Sequence, residues 1–197
     1  MLISGQDYPI VSATQIASFF EAHSDISFVP HWSLPTQLWG NDGGMSRILY
    51  WHTPLFGRRA FIPINRRHPA GILPIGGSMY WCLSRKSASH LIEFCESRSD
   101  VVRFYRNVWI PDELFVPTVV MNSPIADSVV NEALTYIRWS TPGSPHPDQL
   151  AITDGPELLH AGITGSKVGG FSRRKLFARK INYQRDAKLL DFLDQNT

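Results

Sequence analysis

The chain has 197 residues, which is enough for one domain, and 43% of them are hydrophobic. Because only 18% are charged and the formal net charge is +2, the composition excludes a disordered chain and argues against a strongly basic nucleic-acid-binding protein. The two cysteines, Cys82 and Cys95, favour free thiols in a reducing compartment over a disulfide scaffold. No apolar run is long enough to span a membrane and no signal peptide is recognisable, so a cytoplasmic location is expected.

The spacing of apolar residues predicts short strands alternating with helices, which is typical of the α/β class. The predicted strands are residues 1–4, 26–29, 79–83 and 134–139. The predicted helices begin after Ser12, after Ser84, at Pro111 and at Ile152, and a terminal helix covers residues 185–193. Residues 30–75 are rich in Pro, Gly, Trp and Arg and are predicted to form an irregular, partly stranded surface region.

Two of the helix starts have further sequence support. Ser12 and Gln15 have the spacing of a capping box, with Ile16, Phe19 and Phe20 as the expected buried stripe of that helix. The helix after Ser84 is expected to bury one face, made of Ala88, Leu91, Ile92 and Cys95. No change of composition marks a boundary, so a single domain is predicted.

Glu113 is a candidate general base. It follows Pro111 and Asp112 at a predicted helix start, where the helix dipole and free amide groups keep a carboxylate ionised. An ionised carboxylate can accept a proton from a hydroxyl group. Ordinary N-terminal helix chemistry explains the same residues and is the more common reason for them.

Arg179 and Lys180 form a candidate anion site. A guanidinium offers a planar fork to a phosphate, and an ammonium offers a point charge. Neighbouring residues of a strand point to opposite faces, but at the end of a strand both side chains can converge on one anion. The apolar residues 176–178 predict a rigid, buried support for the pair, whereas a solvated basic pair is the simpler alternative.

No metal-binding or phosphate-loop motif stands out. The seven histidines show no paired ligand spacing. The Gly-rich segment 39–44 lacks both the Lys-Ser/Thr ending of a phosphate loop and the acidic ladder of a calcium loop, so a turn is predicted. Neither a metal site nor a bound cofactor is therefore expected.

Five blocks of sequence occur in the order found in one known family. They are Ser4-Gly5-Gln6-Asp7-Tyr8-Pro9-Ile10, residues 77–85, Pro111-Asp112-Glu113-Leu114-Phe115 with Thr118 and Asn122-Ser123-Pro124, residues 134–139, and Leu176-Phe177-Ala178-Arg179-Lys180. The chain thus resembles the core-2/I-branching β-1,6-N-acetylglucosaminyltransferases and the related peptide O-xylosyltransferases. Each block alone is a weak signal, whereas the third and fifth together are fairly specific.

The resemblance implies an incomplete GT-A-like nucleotide-sugar transferase fold, with a mixed sheet flanked by helices. It also implies an inverting, metal-independent enzyme that moves N-acetylglucosamine or xylose from a UDP-sugar to a hydroxyl of a glycan or protein. By position in the blocks, Glu113 would be the general base, and Arg179 and Lys180 would balance the charge on the departing UDP diphosphate.

The other residues that the resemblance assigns lie in three of the blocks. Gln6 and Asp7 belong to the block that lies near the donor pocket in the family. Ser78, Trp81 and Trp139 are expected to be pocket or acceptor-side residues. The expected partners are therefore a UDP-sugar donor and a glycan or protein acceptor, with no nucleic acid and no membrane span in this chain.

The resemblance further implies that residues 1–197 are one glycosyltransferase-like domain that lacks its first part. Family catalytic domains carry about a hundred further residues before the Ser4 block, so this chain corresponds to the later two-thirds of such a domain. The many cysteines and the membrane anchor of the animal members are also missing. A bacterial-type protein is therefore expected, either cytoplasmic or associated with a membrane, and a Golgi location would require an anchor upstream.

Two other functions stay open. A catalytically inactive, truncated transferase would act as a glycan- or nucleotide-binding module. A nucleic-acid-binding protein would use the basic clusters at residues 58–59, 66–67 and 173–175, although the small net charge disfavours this function.

Overall fold

The computed structural model describes residues 1–55, 58–141, 144, 146–163, 167–168, 171–172 and 174–197. The strands are β1 (Tyr8–Pro9), β2 (Ser27–Phe28), β3 (His31–Ser33), β4 (Trp51–Leu55), β5 (Arg58–Ile62), β6 (Ile75–Gly77), β7 (Val129–Val130), β8 (Thr135–Ile137), β9 (Lys167–Val168), β10 (Phe171–Ser172) and β11 (Phe177–Arg179). The α-helices are α1 (Ala13–Ala22), α2 (Met45–Leu49), α3 (Arg85–Ser97), α4 (Ser99–Tyr105), α5 (Phe115–Met121), α6 (Gly155–Ile163) and α7 (Ala187–Asn196). Short 3-10 turns occupy Gln37–Trp39, Pro111–Glu113, Ala126–Ser128 and Ile152–Asp154.

The described residues divide into two compact units. The first unit consists of Met1–Ser24 and Glu132–Thr197, and the second consists of Asp25–Asn131. The single domain predicted for residues 1–197 stays a prediction.

The first unit is built on a mixed three-stranded sheet in the order β1-β11-β8. Strand β11 runs antiparallel to β1 and parallel to β8, with Ala178 opposite both Tyr8 and Tyr136. Leu158 of α6 and Leu189 of α7 are fully buried in the same core cluster as Ala178. Burial of a leucine side chain contributes roughly 1.5–3 kcal/mol, so these helices stabilise the sheet that they cover. The predicted α/β class with a mixed, helix-flanked sheet is confirmed.

The start of α1 confirms the predicted capping box. Ser12 Oγ accepts a hydrogen bond from the Gln15 amide at 3.3 Å, and Gln15 Oε1 accepts one from the Ser12 amide at 3.0 Å. Two donors that the first turn leaves unpaired are thereby satisfied. Phe19 is buried, whereas Ile16 and Phe20 of the predicted stripe are half-buried.

The second unit contains three two-stranded sheets, namely parallel β2–β7, antiparallel β3–β6 and the antiparallel β4–β5 hairpin. One of its core clusters consists of Ile48, Val101, Tyr105, Val108 and Leu114. Strand β6 packs closely on α5: a methyl group added at Gly77 would lie 2.5 Å from Pro117 Cγ and 2.4 Å from the Pro30 carbonyl oxygen. Glycine is therefore required at position 77.

The strand predicted for residues 79–83 is wrong. The strand is formed by Ile75–Gly77, and within residues 79–83 the structure describes only an isolated bridge from Cys82 to Phe28. Gly76 and Gly77 have no side chains, so their backbone can approach neighbouring segments closely. Strand β3 therefore pairs with these glycines and not with the apolar residues that follow them. Cys82 is nevertheless buried, and both cysteines are free thiols as predicted.

Three smaller expectations are also corrected. Residues 1–4 form no strand, and Ser4 instead begins a turn in which the Asp7 amide donates to the Ser4 carbonyl at 3.1 Å. Ile92, predicted to be buried on α3, is 61% exposed. The helix predicted from Ile152 begins with a 3-10 turn, so α6 starts only at Gly155.

Candidate active site

Glu113 ends the 3-10 turn Pro111–Glu113, which leads into α5. Ile110, directly before the turn, has φ 55° and ψ 66°, a left-handed conformation that a β-branched residue rarely adopts. Strained backbone of this kind is concentrated at functional sites, where the surrounding structure enforces it. A helical turn begins at Pro111 as predicted, but it is a 3-10 turn, and the α-helix α5 begins only at Phe115. The strain at Ile110 supports the candidate role of the acidic residues in the turn.

The Glu113 carboxylate is held by Arg47, a residue of α2. Arg47 Nη1 donates to Glu113 Oε2 at 2.8 Å, and the two side chains are 22% and 29% exposed. The Arg47 guanidinium also lies 4.0 Å from the centroid of the Trp39 ring, and the Arg47 carbonyl accepts a hydrogen bond from the Trp109 amide at 2.8 Å. The Trp109 contact holds the backbone of Arg47, and the Trp39 ring holds its guanidinium, which in turn positions the carboxylate.

The pKa of Glu113 is raised above its usual value. Burial is the main cause, because it disfavours the charged form, and the negative charge of Asp112 adds to it. The hydrogen bond and the charge of Arg47 act in the opposite direction and offset part of the increase. This direction is opposite to the one expected from a helix start, and a raised pKa makes the ionised carboxylate a stronger acceptor of a substrate proton.

Arg47 also lines a cleft of about 420 Å³. The other lining residues are Ser46, His52, Ala60, Phe61 and Trp109. The His52 ring is tilted against the rings of Trp109 and Phe61, at centroid distances of 5.5 and 6.0 Å. His52 Nε2 lies 3.1 Å from the Ser46 carbonyl oxygen, which can only accept, so this nitrogen carries a proton. Aromatic rings beside a few polar groups form a surface against which a sugar ring can stack.

Arg47, His52 and Trp109 were not found from the sequence. Arg47 and His52 lie in the region predicted to be irregular, and Trp109 follows α4 outside all five blocks. The contact between Arg47 and Glu113 spans 66 positions, so no local pattern indicates it. A contact of this range is visible only in the folded chain.

Two predicted site residues, Ser78 and Trp81, lie in the second unit with Glu113. Ser78 stabilises a turn: its amide donates to the Pro30 carbonyl at 3.1 Å, and its Oγ accepts from the Tyr80 amide at 3.2 Å. Trp81 lines a second, largely apolar cavity of about 350 Å³ together with Val102, Tyr105, Arg106, Pro111, Asp112, Phe115 and Val116. The fold therefore brings Trp81 beside the turn that carries Glu113.

The basic pair lies in the first unit, at the end of β11. Leu176 and Ala178 before it are fully buried, so the predicted rigid support is confirmed. Arg179 Nη1 donates to Ser4 Oγ at 2.6 Å and lies 3.5 Å from Asp7 Oδ2. The Asp7 side chain is only 1% exposed, so the carboxylate is a buried counterion of Arg179. Arg179 and Asp7, both predicted as donor-site residues, are thus brought together.

Lys180 follows β11 and differs from its neighbour in its surroundings. Among the residues that the structure describes, it has no ion-pair partner. The adjacent backbone is firmly held, because the Leu150 amide donates to the Lys180 carbonyl at 2.9 Å and the Ile181 amide donates to the Gln6 carbonyl at 3.0 Å. Part of the charge of Arg179 is offset by Asp7.

A polar cavity of about 210 Å³ is lined in part by the residues that follow the basic pair in sequence. Its lining residues are Gly5, Gln6, Ile181, Asn182, Tyr183 and Gln184. Gln6, predicted near the donor pocket, is therefore a cavity residue. Trp139, two residues after β8, is 53% exposed and available to a large ligand.

Glu113 belongs to the second unit, and Arg179, Lys180, Gln6, Asp7 and Trp139 belong to the first. The expectation that Glu113 and the basic pair line one cleft stays a prediction.

Across the described ranges there is no group of three or more His, Cys, Asp or Glu residues that could hold a metal ion. Likewise, no helix of the described part is long and apolar enough to cross a membrane.

Several residues of the basic clusters are engaged within the protein. Arg66 donates to the carbonyls of Asn107 and Phe104 at 2.9 and 2.6 Å. Arg174 donates to the Gly162 carbonyl, and Lys175 is paired with Glu132. Arg173 lies outside the described residues. The charges of Arg66, Arg174 and Lys175 are thus used in part for internal contacts, which does not favour nucleic-acid binding.

The matches to known proteins identify the family to which the chain belongs. The family model described as "Branch: Core-2/I-Branching enzyme" matches residues 1–161. The chain therefore belongs to the Core-2/I-branching enzyme family, and the family relationship expected from the five blocks is confirmed. The matched range includes Glu113 and Trp139, whereas Arg179 and Lys180 lie beyond it.

The chain is also similar to curated xylosyltransferases. It is 28% identical to xylosyltransferase 1 of Mus musculus over 142 residues, which cover 70% of this chain and 14% of that protein. It is 29% identical to xylosyltransferase 1 of Canis lupus familiaris over 142 residues, again 70% of this chain and 14% of the relative. With xylosyltransferase 2 of Rattus norvegicus the identity is 25% over 140 residues, 70% of this chain and 16% of the relative. The chain thus corresponds to a small part of each relative's length.

Proposed function

We propose that this chain carries the acceptor-activating and diphosphate-binding parts of an inverting, metal-independent glycosyltransferase with a GT-A-like fold. The donor would be a UDP-sugar, and the acceptor a hydroxyl group of a glycan or a protein. The names of the relatives favour xylose as the transferred sugar, and N-acetylglucosamine is the alternative that the family suggests.

In the proposed reaction, an acceptor hydroxyl oxygen attacks the anomeric carbon of the donor from the face opposite to UDP. Glu113 takes the hydroxyl proton as the new glycosidic bond forms. The bond between the anomeric carbon and the phosphate oxygen breaks, and its electron pair leaves with UDP. A single displacement of this kind inverts the configuration of the anomeric carbon.

The observation that carries the proposal is the state of Glu113. Its pKa is raised by burial, while Arg47 holds the carboxylate at 2.8 Å and keeps the increase limited. The same arginine lines the cleft that contains Phe61 and Trp109, so the base lies beside a surface suited to a sugar acceptor. A structural helix-start acid would need neither the arginine partner nor the cleft.

Lys180 and Arg179 would bind the diphosphate of the donor. Fixed cations stabilise negative charge as it develops on the leaving group, which is the role that a divalent ion has in metal-dependent transferases. The buried support of residues 176–178 and the contact of Arg179 with Asp7 favour a preorganised site. The proposal requires that this site and Glu113 act on the same donor molecule.

A donor panel tests the proposal directly. The full chain is incubated with UDP-xylose, UDP-N-acetylglucosamine and UDP-glucose, with glycan and peptide acceptors, in the presence of a metal chelator, and products are read by mass spectrometry. Transfer from one donor without metal, with an inverted anomeric configuration by NMR, supports the proposal. Binding of UDP without transfer from any donor would instead favour the inactive binding module, and absence of both would contradict both functions.

A further inference from the structure

The β4–β5 hairpin and the residues after it expose a cluster of large apolar side chains. These are Trp51 (42% exposed), Leu55 (52%), Phe61 (59%), Ile62 (45%) and Ile64 (62%). We call these five residues the hairpin surface. Single exposed apolar residues are ordinary, but five within fourteen positions form a patch of the kind that marks an interaction site.

The strand register groups part of the hairpin surface on one face. Trp51 is opposite Ile62, and Leu55 is opposite Arg58. Residues directly opposite each other in an antiparallel pair share a face, as do alternate residues of one strand. Trp51, Leu55 and Ile62 therefore lie on the same face of the hairpin, with a basic residue in the register position at its far end.

The two aromatic rings of the hairpin surface are held in place from within the protein. The guanidinium of Arg66 lies 5.0 Å from the centroid of the Trp51 ring, and its amino groups donate to backbone carbonyls. The Phe61 ring is stacked on Tyr50 with a centroid distance of 5.9 Å and an interplanar angle of 11°. The exposed rings are thus part of a fixed surface, which lowers the entropy cost of binding.

The stretch of sequence that contains the hairpin surface carries only positively charged side chains. No Asp or Glu occurs between Gly43 and Ile92, whereas this stretch contains seven basic residues: Arg47, Arg58, Arg59, Arg66, Arg67, Arg85 and Lys86. Arg47 and Arg66 are used in the internal contacts described above. Arg67 is exposed, and Arg58 and Arg59 begin strand β5 of the hairpin. A one-sided charge distribution of this kind favours a negatively charged partner.

We propose that the hairpin surface docks the protein onto an anionic lipid bilayer. Tryptophan and aliphatic side chains enter the boundary between headgroups and acyl chains, while nearby arginines attract anionic headgroups. A nucleic acid would use the arginines but leave the aliphatic residues exposed. A second copy of the chain would cover the apolar residues but would oppose two basic surfaces. The inference concerns attachment to the bilayer surface and does not require the proposed transfer reaction, although Phe61 belongs both to the hairpin surface and to the lining of the cleft.

Vesicle co-sedimentation of the full chain tests this surface. Vesicles of phosphatidylcholine alone are compared with vesicles that also contain phosphatidylglycerol, at low and at high salt. We expect binding to the anionic vesicles that weakens at high salt. The variant Leu55→Ser/Ile62→Ser is expected to bind roughly tenfold more weakly, because it removes two membrane-inserting side chains. The control Leu73→Ser/Ile163→Ser changes two residues that are each 73% exposed but lie outside the hairpin surface, and it is expected to bind as the unmodified chain does.

A charge variant keeps the test informative if the apolar variant does not fold. Arg58→Gln/Arg59→Gln is expected to reduce anionic-vesicle binding by roughly tenfold or more, with an unchanged circular dichroism spectrum. The proposal is overturned if the chain binds neither kind of vesicle, or if all variants bind alike. It is equally overturned if the apolar variant abolishes only self-association in sedimentation, or if the charge variant abolishes only binding to a DNA fragment.

Discussion

Arg47 of α2 donates a hydrogen bond of 2.8 Å to Glu113 across 66 positions of the chain. Burial raises the pKa of Glu113, and this contact opposes the increase, so Arg47 influences how readily the carboxylate takes up a proton. Because Arg47 also lines the neighbouring cleft, a ligand in that cleft would contact the residue that holds the Glu113 carboxylate.

Replacing Arg47 should change the pH dependence of transfer. In Arg47→Met the hydrogen bond and positive charge are lost while the apolar stem remains, so the pKa of Glu113 should rise further. The acid limb of kcat/KM against pH should therefore move to higher pH, since transfer requires the ionised form. Arg103→Met, at an exposed position of α4, is the matched control and should leave the limb in place. An unchanged acid limb in Arg47→Met would show that Arg47 does not control the base.

The raised pKa of Glu113 should also be visible in stability. Between the ordinary pKa of a glutamate and the raised pKa in the folded protein, the folded state binds more protons than the unfolded state. The free energy of unfolding should therefore contain a contribution that decreases as pH rises through this window. Glu113→Gln should remove that contribution, whereas Glu93→Gln, at an exposed position of α3, should retain it. Urea titrations over a pH series measure the difference, and equal pH dependence in all three proteins would contradict the prediction.

Lys180 and Arg179 should respond differently to substitution. Lys180→Ala should weaken UDP binding by about tenfold or more, because it removes a charge-assisted contact, and should leave stability nearly unchanged. Arg179→Ala should weaken UDP binding and also destabilise the protein by about 1–3 kcal/mol, because the buried Asp7 carboxylate loses a partner. Calorimetry with UDP and urea unfolding measure the two effects, with exposed Lys188→Ala as the control. Wild-type affinity for UDP in Lys180→Ala would exclude it from the donor site.

Thr118 is predicted to matter for stability alone. It is fully buried in α5, and its Oγ1 bonds to both the amide and the carbonyl of Ile75, at 3.0 and 3.1 Å. Thr118→Val keeps the shape but leaves these groups of β6 without that partner, which should cost about 1–3 kcal/mol. Thr14→Val, at an exposed position of α1, should change the free energy of unfolding by less than about 0.5 kcal/mol. Equal stability of the two variants in urea titrations would argue against the role of this contact.

Local features of the fold could be predicted from the sequence, and long-range ones could not. The cap at Ser12 and the buried residues 176 and 178 depend on a few neighbouring positions, and both were predicted. The strand at Ile75–Gly77 was missed because apolar spacing reports burial, whereas strand pairing also depends on how closely two backbones can approach.

The same distinction holds for the candidate site. Glu113 was chosen from its helix-start position, and the five blocks then agreed with a family that is now confirmed. Arg47 was missed, because an arginine in an irregular region gives no sign of a carboxylate 66 positions away. The assignment of the basic pair to the same donor as Glu113 still depends on the resemblance and on the proposed function.

The measurement that tests the central claim most directly is transfer and UDP binding in the same preparations of Glu113→Gln. If Glu113 is the base and the basic pair binds the diphosphate, UDP affinity by calorimetry should stay within about twofold while the transfer rate falls by roughly 10²–10⁴-fold. The opposite pattern, in which transfer continues at the unmodified rate or UDP binding is lost together with it, would contradict the account.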